Sequence, residues 1–361
     1  MKNNIVIIGN LSDCKRTFAK IDRDLIGSLI FITNEEEMDN KWFEDKDKIL
    51  IKDIKGLEYD LIFIATENIS EFREFKKQLI NQGVEDEKIW YNFDVGTFNL
   101  RLKGFTKYNS ATLKYKKDFF MEEKPNTYEL RKNLDFDSMN RLEQYFYNNR
   151  GKIIHKFLHY FEIYERHFSK FIGKDVSVLE IGVSKGGSLE LWRHYFGSKS
   201  KIYGVDIDPK CKNLEGEQIE IFIGDAEDRE FLRSLKEKIP KIDIVIDDGG
   251  HHMNQQIVAF EELYPFISPD GVYLCEDMMT SYMREYGGGY RRKNTFIEYS
   301  KNLIDYLNAW YSKEENSWLS RKKLSVNEFT LSTHSIHYYD AVLVIEKRKK
   351  DPPFAVIMGN E

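Results

Sequence analysis

The sequence lacks any continuous apolar run of about 18 residues, the length that a membrane-spanning helix needs. Its N-terminus passes through Lys2, Asn3 and Asn4 directly into the strand-like run Ile5–Ile8. That leaves no room for the hydrophobic segment and small-residue cleavage site of a secretory signal peptide. We therefore expect a cytoplasmic protein with no membrane partner.

Cysteine is scarce, and basic residues do not cluster. The three cysteines, Cys14, Cys211 and Cys275, are far apart and form no CxxC pair. They suggest neither a disulfide framework nor a zinc site, and a reducing compartment is the default. Lysine and acidic residues are interspersed and the net charge is −6, so we expect no nucleic-acid partner.

The 361 residues, 41% of them hydrophobic, are enough for two domains. Over residues 1–98, short apolar runs alternate with a helical pattern, which predicts a small Rossmann-like α/β domain with a parallel sheet. The runs are Ile5–Ile8, Ser28–Thr33, Ile49–Lys52, Asp60–Ala65 and Lys88–Tyr91, with a helix at Ile69–Ile80. Of the dinucleotide fingerprint only Gly9 is present, so nicotinamide binding is disfavoured and a structural or assembly role is expected.

Residues 99–136 are interpreted as a connector, and residues 137–350 as a second domain. Residues 137–172 show three- and four-residue apolar spacing that predicts helix. Strands and helices then alternate, with two final strands forming an antiparallel edge. The predicted strands are Val176–Ile181, Lys201–Val205, Ile219–Ile223, Ile242–Ile246, Gly271–Cys275, Ser335–Tyr339 and Ala341–Glu346.

Three successive strand ends in this domain carry residues suited to a nucleotide-like cofactor. The first turn contains Glu180, Gly182, Gly186 and Ser188. Its glycines allow the chain to pass close beneath a ligand. Asp206 ends the next strand and could accept both hydroxyls of a ribose, while Asp225 and Ala226 end the third and could meet adenine. Neither GxGxxG nor GxxxxGK[ST] is present, which disfavours a phosphate-binding loop.

The stretch from Ile242 to His252 ends an apolar run in two carboxylates, two glycines and two histidines. Such a run fits a strand buried on both faces of a parallel sheet, whose ligands bind beyond the carboxyl ends. Asp248 ends this strand, and Glu276 and Asp277 end the next. Adjacent strands lie about 4.8 Å apart, so these carboxylates could share a hard cation, Mg²⁺ or Mn²⁺ rather than Zn²⁺. The simpler alternative is an aspartate cap for a helix at 255–266, which leaves His251 unexplained.

The pattern Glu180-x-Gly182 with Gly186-Gly187, Gly204-Val-Asp206 and Gly224-Asp225 resembles the class I S-adenosylmethionine-dependent methyltransferases. Four further motifs, at 159–168, 247–251, 275–277 and 335–340, are similar to the metal-dependent sugar O-methyltransferases of macrolide biosynthesis, of the mycinamicin and macrocin type. The resemblance covers about 137–347. It implies a seven-stranded sheet with the last strand antiparallel, S-adenosylmethionine as methyl donor, a cation on Asp248, Glu276 and Asp277, and His251 as general base.

An aliphatic hydroxyl is a poor nucleophile until a bound cation lowers its pKa and a neutral histidine accepts its proton. The expected reaction is O-methylation of a sugar or glycosylated small molecule, in surface-polysaccharide or natural-product biosynthesis. Two alternatives remain open: an enzyme of the same fold that uses iron or no metal, and a non-catalytic scaffold in polysaccharide assembly. The oligomeric state is also open, with a homo-oligomer as one option.

Overall fold

The structure is a computed structural model that describes residues 2–21, 23–32, 47–49, 51–66, 68–91, 135–312 and 324–359. The chain divides into two compact units, Met1–Pro125 and Asn126–Glu361. The predicted connector, 99–136, lies almost entirely outside the described residues. Among the residues described, no helix has both the length and the apolar character needed to cross a bilayer.

The first unit contains a five-stranded sheet in the order β3-β2-β1-β4-β5, and all its strand pairs are parallel. Within the described residues its strands are β1 (Asn3–Ile8), β2 (Ile26–Ile32), β3 (Asp47–Ile49), β4 (Leu61–Ile64) and β5 (Ile89–Tyr91), and its helices are α1 (Leu11–Lys20) and α2 (Ile69–Asn81). The expected parallel α/β sheet is confirmed. The run predicted at Ile49–Lys52 is misplaced, because β3 ends at Ile49 and a 3₁₀ turn follows at Ile51–Asp53.

The second unit contains a seven-stranded sheet in the order β11-β12-β10-β9-β6-β7-β8. Its strands are β6 (Ser177–Ile181), β7 (Lys201–Asp206), β8 (Ile219–Ile223), β9 (Ile242–Asp247), β10 (Ile267–Cys275), β11 (Thr333–Tyr338) and β12 (Leu343–Lys347). Strands β6 to β10 pair in parallel, whereas β12 runs antiparallel to both β10 and β11. The predicted sheet with an antiparallel edge is confirmed.

Helices cover this sheet on both faces, and β9 shows why the run Ile242–Ile246 is apolar apart from Asp243. Ile244 and Ile246 pack into one hydrophobic core, whereas Val245 packs into the other. Successive side chains of a strand point to opposite faces, so a strand between two cores is largely apolar. Asp243 is the exception within the run, and its carboxylate accepts a hydrogen bond from the backbone N–H of Ser177 at 2.9 Å. The helices of the unit are α3 (Arg141–Asn148), α4 (Tyr160–Phe168), α5 (Gly187–Phe196), α6 (Arg229–Lys238), α7 (Met253–Leu263), α8 (Phe296–Leu307) and α9 (Glu328–Ser332).

The helix predicted across residues 137–172 is wrong for the segment between α3 and α4, residues 149–159. Ile153 is 61% exposed and Leu158 is 54% exposed, so their helical spacing marks no buried face. The segment instead crosses the start of α5, where a Cβ on Gly187 would lie 2.2 Å from the carbonyl oxygen of Ile153. Close tertiary packing therefore overrides the local periodicity.

Glu262 on α7 joins this helix to α6. Its carboxylate accepts hydrogen bonds from Nε and Nη2 of Arg233 and from Nη1 of Arg229, each at 2.8 Å. The hydrogen bonds from Arg233, and then those from Arg229, lower the pKa of Glu262 to about 2 although burial acts to raise it. A carboxylate whose pKa is lowered on folding stabilises the fold above its unfolded pKa, and that contribution is lost as the pH falls towards the folded pKa.

We expect Glu262→Gln to lower the free energy of unfolding at pH 7 by ~1 kcal/mol, since the exposed arginines weaken each pair. The variant should also lose less stability than the wild type between about pH 4.5 and pH 2. Denaturant unfolding at several pH values measures both effects. Glu237→Gln, an exposed change on α6, is the control, and an identical pH profile for Glu262→Gln and the wild type would contradict the expectation.

Candidate functional site

Two adjacent strands carry the candidate site at their carboxyl ends. Strands β9 and β10 are parallel, and Asp247 pairs with Cys275 at the end of their register. Asp248 and Glu276 therefore leave the sheet at the same edge. The backbone N–H of Glu276 donates to the carbonyl of Asp247 at 2.9 Å, and that of Asp248 donates to the carbonyl of Ile181 at 3.0 Å. Ladder hydrogen bonds thus anchor both site residues to the sheet.

Asp248, His251 and Asp277 form a carboxylate–imidazole cluster. Within the described part of the chain, one ligand atom from each lies within 4.8 Å of the others, as a metal site requires. Nε2 of His251 is 3.2 Å from Oδ2 of Asp277 and 3.9 Å from Oδ1 of Asp248. The structure therefore brings together three of the four residues expected to bind the cation or accept the proton.

His251 and Asp277 both adopt the left-handed backbone conformation, with φ of 57° and 53°. Non-glycine residues adopt this region rarely, at a cost of about 1–3 kcal/mol each, and such residues concentrate at functional sites. Local contacts hold Asp277 there, because its carbonyl accepts hydrogen bonds from the backbone N–H and the hydroxyl of Thr280, at 3.0 and 2.8 Å. The two turns direct the imidazole and the carboxylate towards each other.

Glu276 is the fourth expected residue, and both of its oxygens have partners other than Asp277. Oε2 accepts a hydrogen bond from Lys156 at 2.8 Å, and Oε1 accepts one from the hydroxyl of Tyr164 at 2.6 Å. A second hydroxyl, that of Tyr160, donates to Oδ1 of Asp277 at 2.7 Å. Helix α4 thus orients both carboxylates at the end of β10.

Lys156 is the cation of this site. Its side chain is only 2% exposed, and its Nζ lies 2.5 Å from Oδ2 of Asp248, 2.8 Å from Glu276 and 3.9 Å from Oε1 of Glu180. Asp248 therefore faces Lys156 with one oxygen and His251 with the other. The segment 149–159, which was wrongly predicted as helix, delivers this ammonium group.

Three carboxylates, those of Asp248, Glu276 and Glu180, share the single ammonium of Lys156. Burial alone would lower the pKa of Lys156, but Asp248, Glu276 and Glu180 together raise it, so the ammonium remains charged. Burial raises the pKa of Glu180 to about 7, against the opposing effect of Lys156. Burial and the adjacent Asp248 raise the pKa of Glu276 well above its usual range. The site has an excess of acidic groups and favours a further cation.

The expected cofactor turn passes directly beside the carboxylate strand. Gly182 has φ of 95°, and a Cβ at this position would lie 2.0 Å from the carbonyl oxygen of Asp248. Gly186 caps the start of α5 in the left-handed conformation. Oε2 of Glu180 accepts a hydrogen bond from the hydroxyl of Ser188 at 2.9 Å, which closes the turn onto β6.

Asp206 organises the same turn. Its Oδ2 accepts hydrogen bonds from the backbone N–H groups of Val183 and Ser184, both at 2.9 Å, and its Oδ1 accepts one from Asp208. Asp225 and Ala226 follow β8, with Asp225 exposed and Ala226 buried. Because β6, β7 and β8 are adjacent, the structure brings the predicted cofactor residues to one edge of the sheet, in their expected order.

The sequence analysis assigned no place in the site to Lys156, Tyr160 or Tyr164. The available signal was a lysine, next to His155, among the apolar residues between Ile153 and Leu158, followed by two tyrosines at four-residue spacing. Four-residue spacing places both hydroxyls on one helix face. Nothing in the sequence identified the carboxylates that this face meets.

A cavity of about 530 Å³ opens next to His252, the residue that follows His251. Its walls include His252, Asn254, Tyr286 and Lys293. The ring of Tyr286 is centred 5.5 Å from that of His252 and 6.5 Å from that of His251. Aromatic, amide and cationic groups thus surround a space beside the carboxylate–imidazole cluster.

Comparison with known proteins adds two family matches. Residues 150–308 match the FtsJ-like methyltransferase family, and residues 1–90 match the family described as C2185-like, N-terminal. The first match contains the glycine turn, Asp206, Asp248 and Lys156.

Two curated relatives are similar over the second unit. The 8-demethyl-8-alpha-L-rhamnosyl tetracenomycin-C 2'-O-methyltransferase of Streptomyces olivaceus is 34% identical, over 52% of this chain and 50% of its own. The mycinamicin VI 2''-O-methyltransferase of Micromonospora griseorubida is 33% identical, over 54% of this chain and 50% of its own. The chain therefore spans about half the length of these relatives.

A solved structure of the MycE methyltransferase from the mycinamycin biosynthetic pathway, in complex with Mg and SAH, is also similar. It is 33% identical with a TM-score of 0.48, over 54% of this chain and 51% of that chain. The strand ends, the glycine turn and the family match agree with one another. Residues 150–308 of the second unit thus match an FtsJ-like methyltransferase domain, and the unit is similar in sequence to the sugar O-methyltransferases of the mycinamicin and tetracenomycin type.

Proposed function

We propose that this chain transfers a methyl group from S-adenosylmethionine to a hydroxyl group of a sugar or glycosylated small molecule, assisted by Mg²⁺ or Mn²⁺. The observation that carries the proposal is the cluster of Asp248, His251 and Asp277 beside the glycine turn at Gly182. It combines two cation ligands with a proton acceptor, next to a candidate methyl-donor site. The names of the two curated relatives describe O-methylation, in one case of a rhamnosyl compound.

The residues present fit a hard divalent cation. Asp248 and Asp277 offer carboxylate oxygens, the donors that Mg²⁺ prefers. Glu276 completes the proposed ligand set, although Lys156 and Tyr164 now donate to its oxygens. Among the described residues the cluster has one imidazole and two carboxylates, which differs from the two-histidine, one-carboxylate set of non-haem iron sites. This difference favours Mg²⁺ over iron as the ion that the cluster binds.

Each residue has a separate part in the proposed reaction. A bound cation would lower the pKa of a coordinated sugar hydroxyl. His251 is the proposed acceptor of the hydroxyl proton, and its Nε2 faces the carboxylates of Asp248 and Asp277. Nδ1 of His251 is buried and makes no hydrogen bond within the described structure, so an acceptor group or a water is its natural partner. Tyr160 and Tyr164 keep Asp277 and Glu276 oriented.

The methyl donor is proposed to lie over the ends of β6, β7 and β8. Glu180, Gly182, Gly186 and Ser188 form its turn, Asp206 meets the ribose, and Asp225 with Ala226 meets the adenine. Asp206 also stabilises the turn itself, because its carboxylate accepts hydrogen bonds from the N–H groups of Val183 and Ser184. The acceptor is proposed to enter the cavity at His252, where Tyr286 can stack on a sugar ring and Asn254 and Lys293 can bind its oxygens.

We also propose a division of labour along the chain. Residues 137–350 are the methyltransferase domain, residues 99–136 are a connector, and residues 1–98 are a small α/β domain with a structural or assembly role. The absence of a full glycine fingerprint after Gly9 supports the last assignment.

Cofactor binding and metal-assisted chemistry should separate by mutation. Asp206→Ala should weaken S-adenosylmethionine binding by about tenfold or more, ~1.4 kcal/mol, because it removes the ribose partner and loosens the turn. Asp248→Ala should keep cofactor binding but abolish methyl transfer. Calorimetry with S-adenosylmethionine measures the first effect, and mass spectrometry of glycosides and nucleotide sugars measures the second. Asp270→Ala, at the far end of β10, is the control. Absence of binding by the wild type would refute the proposal and favour the scaffold alternative.

Chelation tests the metal. Methyl transfer should stop in excess EDTA and return when Mg²⁺ is added in excess over the chelator. Binding of Mn²⁺, followed by electron paramagnetic resonance, should weaken in Asp277→Asn because one carboxylate ligand is lost. Undiminished transfer in EDTA would remove the cation from the mechanism and leave the metal-independent alternative.

Lys156→Met should make the protein depend on a divalent cation for stability. In EDTA the variant leaves Asp248 and Glu276 without their ammonium, and breaking a buried ion pair in this way costs about 3–5 kcal/mol. Added Mg²⁺ should raise the unfolding temperature of Lys156→Met more than that of the wild type, because the cation replaces the lost positive charge.

The matched control is Lys152→Met, in the same segment, which removes a half-exposed pair with Glu190. Thermal unfolding with and without Mg²⁺ compares the three proteins. Equal melting temperatures for Lys156→Met and Lys152→Met in EDTA would show that Lys156 does not compensate the carboxylates.

A further inference from the structure

A second cluster of metal-ligating side chains lies where α4 packs against the antiparallel edge of the sheet. His167 comes from α4, His337 from β11 and Glu346 from β12. One ligand atom from each lies within 4.8 Å of the others. None of the three belongs to the strand-end site, which consists of Asp248, His251, Glu276 and Asp277 at the ends of β9 and β10. We call His167, His337 and Glu346 the edge cluster.

The donor atoms of the edge cluster are already close together. Nδ1 of His167 is 2.9 Å from Oε1 of Glu346, and the rings of His167 and His337 are centred 4.8 Å apart at an angle of 60°. Ligands of a tetrahedral zinc ion lie roughly 3.3 Å from one another, as follows from Zn–N distances of about 2.0–2.1 Å. Shifts of the side chains alone therefore suffice to admit an ion.

Each member of the edge cluster also has an outer hydroxyl partner. Nε2 of His167 lies 2.9 Å from the hydroxyl of Tyr339, and Nε2 of His337 lies 2.9 Å from that of Ser335. The hydroxyl of Ser335 donates in addition to Oε2 of Glu346 at 3.3 Å. A metal-binding histidine characteristically uses its second nitrogen in such a hydrogen bond, which fixes the ring and its tautomer.

We propose that the edge cluster binds one Zn²⁺ ion, through one ring nitrogen each of His167 and His337 and one carboxylate oxygen of Glu346. Two imidazoles and a carboxylate are an established zinc donor set, with a fourth position left for water. Imidazole also selects zinc over magnesium, so the two sites on this chain take different metals.

The position of His167 suits the ion. Zinc binds an unprotonated nitrogen of a neutral imidazole, and Nδ1 of His167 is the ring nitrogen that lies against Glu346. His167 needs only to shift its proton from Nδ1 to Nε2, where Tyr339 accepts it. His337 and Glu346 are half-buried, which leaves a path from solvent.

The zinc would connect three elements. It would tie α4, whose Tyr160 and Tyr164 orient the carboxylates of β10, to the two edge strands. The proposal is independent of methyl transfer, since it uses no residue of the strand-end site.

The test is a zinc titration of the full chain in excess Mg²⁺. Asp277→Asn serves as the parent protein, so that zinc at the strand ends does not contribute. Calorimetry should show one equivalent of Zn²⁺, and Co²⁺ should give the visible absorption bands of a tetrahedral nitrogen–oxygen site. His337→Gln should weaken zinc binding by roughly 100-fold or more, beyond the 10–100-fold typical of losing an outer partner.

His334→Gln is the matched control, because His334 is an exposed histidine on the same strand, outside the cluster. It should bind zinc like the parent. Ser335→Ala, which keeps all three ligands, should weaken binding by about tenfold and serves as a second variant if His337→Gln fails to fold. Absence of zinc binding in the parent, or equal binding in His337→Gln and His334→Gln, would overturn the proposal.

Discussion

The buried ammonium of Lys156 is the interaction on which the strand-end site depends. Asp248, Glu276 and Glu180 come from three adjacent strands and all face it. Buried carboxylates repel one another and are poorly solvated, so they persist together only when a cation or hydrogen bonds compensate them. The segment 149–159 leaves the helical path to supply that cation, and Gly187 permits its close approach to α5. One lysine thereby explains both the irregular backbone of this segment and the arrangement of the acids.

Helix α4 connects the site to the rest of the sheet. Tyr160, Tyr164 and His167 follow one another at spacings of four and three residues, so they lie along one face of the helix. The two tyrosines bind carboxylates at the end of β10, and His167 binds Glu346 of β12. Apolar neighbours such as Phe161 and Phe168 anchor the same helix in the core. These polar contacts fix the position of helix α4 relative to the strands, in addition to the stability that its apolar packing provides.

Most of the strands were predictable because burial on one or both faces makes them rich in apolar residues. For β8 the predicted bounds, Ile219–Ile223, agree with the structure, and for β9 they differ by one residue. The helical pattern at 149–159 failed for a related reason. Ile153 and Leu158 are apolar but exposed, so their spacing reflected no packing face. Periodicity identifies an element only when burial produces it.

The sequence by itself determined the succession of strands along the chain, the glycine turn at Gly182 and the presence of acids at the ends of β7, β9 and β10. These features are local, because a strand end and the residue after it are adjacent in the chain. The tertiary structure alone decided the partner of each acid: Asp206 holds the turn, Glu276 meets Lys156 and Tyr164, and Asp277 meets His251 and Tyr160. Which charged groups meet depends on packing between segments that are far apart in sequence, and no local sequence pattern encodes how those segments pack.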